Sequence, residues 1–105
     1  MKNMKTQDFD DEVPRTKEET REALHKLIDR IWYHRHLCLK HNLERGIEEC
    51  DPEIWKGALR DAKTVRSKYP ASELGPWTDF ELGVLNGKLS ALRWALGDDW
   101  DNFDI

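Results

Sequence analysis

Cysteine is scarce in this chain: Cys38 and Cys50 are the only two in 105 residues. Two thiols with no apolar secretory segment ahead of them exclude a disulfide framework and fit reduced cysteines in a cytoplasmic protein. Long apolar runs are missing as well. None approaches the roughly 18 residues that cross a bilayer, so no membrane association is expected. The opening MKNMKTQDFDDEV lacks a signal-peptide apolar region, and residues 1–15 read as a flexible leader. Basic charge stops at Arg93. Beyond it Asp98, Asp99, Asp101 and Asp104 stand unopposed; without those four, seventeen acids balance seventeen bases, so the net charge of −4 belongs to the tail. A basic nucleic-acid footprint is therefore absent. Phosphate-cradling glycine loops, nucleophile elbows and Cys-x-x-Cys pairs are absent too, and no cofactor is expected.

What the chain does have is 38% hydrophobic and 36% charged residues, the balance of one globular domain over residues 16–105 with a heavily charged surface. Five tryptophans are many for this length. A core this small cannot take them all to depth, so one or two are expected at a contact surface.

The patterning is helical throughout and predicts an all-α, three-helix bundle. Thr16-Lys17-Glu18-Glu19 is a capping box, and Leu24, Leu27, Ile28, Ile31, Cys38 and Leu39 follow at three-and-four spacing, placing a first helix over about residues 17–45. Asp51 is a good N-cap with Pro52 at the first helical position, opening a second helix over about 52–69. Its expected inward face is Trp55, Ala58, Leu59, Ala62 and Tyr69, and Pro70 ends it. Thr78-Asp79-Phe80-Glu81 repeats the capping box and opens a third helix over about 79–96. That helix carries a leucine row at 82, 85, 89, 92 and 96 and a second face of Gly83, Gly87 and Ala91 beside Phe80, Val84, Trp94 and Ala95. Apolar on most sides, it is expected to be the central element. Two glycines inside a helix cost about 1 kcal/mol each relative to alanine, so a close backbone neighbour is expected there. After a break at Gly97, a short helical turn is expected, with Trp100 and Phe103 folding back.

Polar residues inside apolar faces are the first candidate site. Arg35 and Asn42 on the first helix, Arg66 on the second and Glu81 on the third would pair, or leave a cation for an anionic ligand; the plainer reading is that the arginine stems pack while their heads reach water. His34, Cys38 and His41 share one helical flank and are chemically suitable zinc ligands, with Cys50 or Glu48 able to close the site. Their spacing matches no standard finger, and a cysteine on an apolar face is simply a small hydrophobe. The tail aspartates, interleaved with Trp100 and Phe103, offer a surface for a basic protein partner, or else keep the chain soluble.

Glu18-Glu19-Thr20-Arg21-Glu22 with Glu48-Glu49-Cys50-Asp51 resembles the paired acidic helices of the all-α nucleotide pyrophosphohydrolases, which would imply a magnesium-dependent nucleotide hydrolase. Capping and helix-dipole roles explain the same acids. The stretch ELGVLNGKLSALRWALGDDWD, from Glu81 to Asp101, resembles the C-terminal pattern of a set of small bacterial helical proteins of unknown function, as does Ile31-Trp32-Tyr33-His34-Arg35-His36. That resemblance implies a recurring domain and assigns it no chemistry. The function expected from the sequence is non-enzymatic binding as a homodimer through Gly83, Gly87, Ala91 and Trp94, with a small helical ligand-binding protein or a metal-dependent nucleotide hydrolase as the alternative.

Overall fold

The computed structural model of the chain describes residues 12–100, and everything below concerns those residues. Three helices form: α1 over Lys17–Glu44, α2 over Pro52–Lys68 and α3 over Asp79–Ala95, with a single 3-10 turn at Ala71–Glu73 between the last two. The all-α three-helix reading is the observed architecture. Residues 1–11 of the expected leader, and residues 101–105 with Phe103 of the turn expected after Gly97, lie outside the described residues.

Local chemistry sets each helix start. In α1 the Thr16 hydroxyl accepts from the Glu19 backbone N–H at 3.0 Å while the Glu19 carboxylate accepts from the Thr16 N–H at 3.1 Å. Thr78 and Glu81 repeat the exchange at 3.1 and 3.0 Å in α3. Asp51 accepts from the N–H groups of Glu53 and Ile54 at 2.9 and 3.2 Å and opens α2. Each device satisfies donors that a first helical turn leaves without partners. At the far end of α2, Tyr69 turns extended, as the residue before Pro70 must.

The central element is α1, not α3. It packs against both other helices, while α2 and α3 hardly touch. The reason is the arrangement of its two apolar stripes. Leu27 and Ile31 meet Leu85 and Leu89 of α3, with Leu24, Leu82, Leu92 and Trp77 around them. Tyr33 faces the other way and shares a second cluster with Ala62 and Val65 of α2 and with Leu74. Both partners run antiparallel to α1 but at different heights. On one side α2 brings Trp55 to His36 and Tyr69 to Asp29. On the other, α3 begins beside His34, where the Trp77 N–H is bonded, and runs back toward the start of α1.

Three expected core positions are corrected by this geometry. Leu59 and Ile28 are each 44% exposed; Ile28 lies on α1 between the open spaces that face α3 and α2, and neither helix covers it. Cys38 is exposed because α3 starts level with His34 and leaves the α1 surface beyond it bare. Val65, absent from the expected inward face of α2, is buried.

The loop between α2 and α3 is tied to α1. Arg30 Nε donates to the Glu73 carbonyl at 2.7 Å, Lys26 meets the Glu73 carboxylate at 2.8 Å, and the Arg30 guanidinium lies 4.9 Å above the Trp77 ring. Gly75 permits this path, with φ of +78° and Trp77 so close that an added Cβ would meet its backbone nitrogen at 2.9 Å. Gly75→Ala should therefore cost about 1–3 kcal/mol by urea denaturation, whereas Gly57→Ala inside α2, with only an arginine tip at 3.6 Å, should stabilise by up to about 1 kcal/mol. Equal responses at the two positions would refute this account of the loop.

Candidate functional site

The outer face of α3 is the least satisfied surface of the fold. Its leucine row is turned toward α1, which leaves Phe80, Val84, Gly87, Ala91 and Trp94 on the opposite side. Phe80 is 81% exposed and Trp94 53%. A Cβ built at Gly83 or Gly87 would have nothing within 4 Å, so the close neighbour that two mid-helix glycines call for is not among the described residues. Beyond the C-cap, Gly97 at φ +112° reverses the backbone and Trp100 returns to pack edge-on against Trp94, with ring centroids 5.1 Å apart. Asp98 is drawn in by Arg93 at 2.9 Å. Asp99 remains exposed, and Asp101 and Asp104 lie outside the described residues.

A second surface is the groove between α1 and α3. Ile28, Ile31, Trp32 and Leu89 floor a space of about 340 Å³, and among the described residues Arg35 and Arg93 are its charged lining.

Apart from Arg35, which lines the groove, the polar residues singled out in the sequence have separate local tasks. The Glu81 carboxylate caps its own helix, and the backbone and hydroxyl hydrogen bonds at Thr78 hold its pKa below the usual carboxylate value. Arg66 donates to the Tyr33 hydroxyl at 3.4 Å, and Asn42 donates to Glu48 at 3.1 Å. None of the ion pairs among the described residues joins Glu81 to Arg35 or Arg66, so the expected pairing between them is not present there. His34 accepts the Trp77 N–H through Nδ1 at 3.1 Å, which places its own proton on Nε2, facing Cys38 Sγ at 3.6 Å. That contact does not extend to a metal centre. Among the described residues, no three His, Cys, Asp or Glu side chains come together to hold an ion, whether around His34, Cys38 and His41 or around the acids of the two acidic segments.

The sequence reading passed over His36. It is buried, with its imidazole stacked between the indoles of Trp32 at 5.2 Å and Trp55 at 5.0 Å, the planes 15° and 17° apart. The Trp32 to His36 spacing of four residues was a signal for half of this stack; Trp55 comes from α2 and its register was not. Stacked aromatic pairs contribute about 0.5–1.5 kcal/mol beyond area burial. Nearby, the Tyr69 hydroxyl donates to Asp29 at 2.7 Å, and burial with that carboxylate pushes its pKa up to about 12.

Burial, followed by the positive charges of Arg66 and Lys40, lowers the His36 pKa below its ordinary 6.5. The folded ring thus binds a proton less readily than the unfolded one. Its stability contribution is whole above about pH 6.5 and is lost as pH falls through the native value. The urea midpoint should drop between about pH 7 and pH 5, and His36→Phe, which keeps a stacked ring without a titrating group, should lessen the drop. Identical pH profiles would remove His36 as its cause.

No protein-family model, curated protein or solved structure matches this chain.

Proposed function

We propose that this chain is a self-associating protein-interaction module that acts by binding rather than catalysis, with the outer face of α3 as its contact surface. The observation that carries the reading is the exposed row Phe80, Val84, Gly87, Ala91 and Trp94, spaced four and three residues apart. A surface helix needs one apolar stripe toward its core, and α3 has two on opposite sides. Four-and-three spacing is the seam of paired helices, small residues let two backbones approach, and aromatic residues are favoured anchors at such contacts.

The row is also self-complementary. Phe80 and Trp94 each stand seven residues from Gly87. Two α3 helices crossing antiparallel about a twofold axis near Gly87 set Phe80 of one copy against Trp94 of the other, and Gly83 against Ala91. Bulky ends meet bulky ends, and the small centres meet at the crossing. The small core of the single chain argues in the same direction, since its buried hydrophobics are divided between two clusters and a partner would add the burial that it lacks. The exposed aspartate beside Trp100 would add attraction for a basic protein. Cys38 and Cys50, both unpaired, suit a reducing compartment, and the proposal places the module in the cytoplasm.

Gly87→Glu tests the reading, because the axis would bring two carboxylates face to face. Sedimentation velocity should report a dimer for the wild type and a monomer for the variant, with far-UV circular dichroism unchanged because none of the described residues occupies that space. A wild-type monomer at high concentration, or an unchanged dimer in the variant, defeats the proposal.

A further inference from the structure

We propose that the groove between α1 and α3 binds a small amphiphilic anion, a carboxylate head on an unbranched apolar body, with Arg35 receiving the head. This site is separate from the self-association surface, because it uses Leu89 on the inner side of α3 and none of the outer row.

Three observations converge on it. The first is shape. At about 340 Å³ the groove stands at the lower end of small-molecule sites, too small for a partner helix and large enough for a single acyl chain. The second is its lining. Ile28, Ile31, Trp32 and Leu89 give it a continuous apolar floor, and Ile28 is left 44% exposed at the rim, although it is one of the larger apolar side chains of α1.

The third is charge. In a chain of net charge −4, the charged residues that line this groove among those described are two arginines. Arg93 is already engaged by Asp98 at 2.9 Å. Arg35 is not: none of the ion pairs among the described residues reaches it. Its planar fork of donors matches a carboxylate and would accept one without displacing an existing partner. The same geometry sets the ligand's length. Arg35 follows Ile28 by seven residues, about 10 Å along the helix axis, so an anion held at Arg35 lays an extended chain over Ile31 and Ile28. Leu24, one turn earlier on the same face, continues the floor beyond that point.

The test is a methyl NMR titration of the full chain with sodium decanoate below its micelle concentration, alongside decyltrimethylammonium as a cation of the same chain length. Decanoate should shift the Ile28, Ile31 and Leu89 methyls saturably. Arg35→Gln, at an exposed position outside both clusters, should weaken decanoate by about tenfold, the loss expected for one charge-assisted hydrogen-bond pair. The cation should bind more weakly than decanoate to the wild type and equally to the variant. The proposal is overturned if the shifts do not saturate, if Arg35→Gln binds decanoate unchanged, if the cation matches the anion, or if the shifts fall on Val84 and Trp94. Saturation of the same methyls by an acidic amphipathic peptide, with decanoate inert, would also overturn it in favour of a protein ligand.

Discussion

Helix α1 has to satisfy two neighbours that scarcely meet each other, and the rest of the structure depends on how it does so. Leu27 and Ile31 point to α3, and Tyr33 and His36 point to α2. Because α2 and α3 make so little direct contact, their relative position is inherited from α1 and from the loop that joins them. That loop is fastened to the same helix by Arg30, Lys26 and His34, acting respectively on the Glu73 carbonyl, the Glu73 carboxylate and the Trp77 N–H. One helix is thus both the floor of two cores and the anchor of the connection between them.

This dependence has an outward consequence. Helices that each lean on one neighbour cover only a narrow stripe, so apolar side chains on their flanks stay in water. Leu59 is exposed on α2, Ile28 stays open on α1 where α2 and α3 fail to meet over it, and α3, held by α1 along one side, leaves its opposite face uncovered. In a bundle where all three helices touched, some of that surface would be core. Here the exposed outer row of α3 and the open groove beside Arg35 are two results of the same sparse packing, one facing away from α1 and one along its seam. Glu81 caps, Arg66 supports Tyr33, and His34 receives a backbone donor, so these three polar residues are occupied where they stand, and Arg35 is the one left facing the groove.

The helix starts were legible in the sequence because capping is a short-range matter: Thr16 with Glu19, Asp51 with Pro52, and Thr78 with Glu81 declare themselves within four residues. The glycine and alanine row of α3 was legible as a face, but its direction was not. Periodicity marks which residues share a side of a helix and is silent on which side another helix will cover. The same limit made α3 look central, since two apolar faces suggest burial on both. Cys38 was misplaced because its fate is decided by the level at which α3 begins, which the loop from Pro70 to Trp77 sets. The sandwich of His36 between Trp32 and Trp55 stayed hidden for a related reason: it requires the height of α2 against α1, and no local pattern encodes that register.

The central claim is that the bare face of α3 is completed by a second copy of itself, and it is tested most directly by contacts between copies. In a mixture of isotope-labelled and unlabelled chains, isotope-filtered NOE spectra select protons that are close across the interface. The account predicts intermolecular NOEs between the Phe80 ring of one copy and the Trp94 indole of the other. Their absence from a sample in which the chain is dimeric, or intermolecular NOEs arising instead from Leu59 and Ile54 on α2, would contradict it.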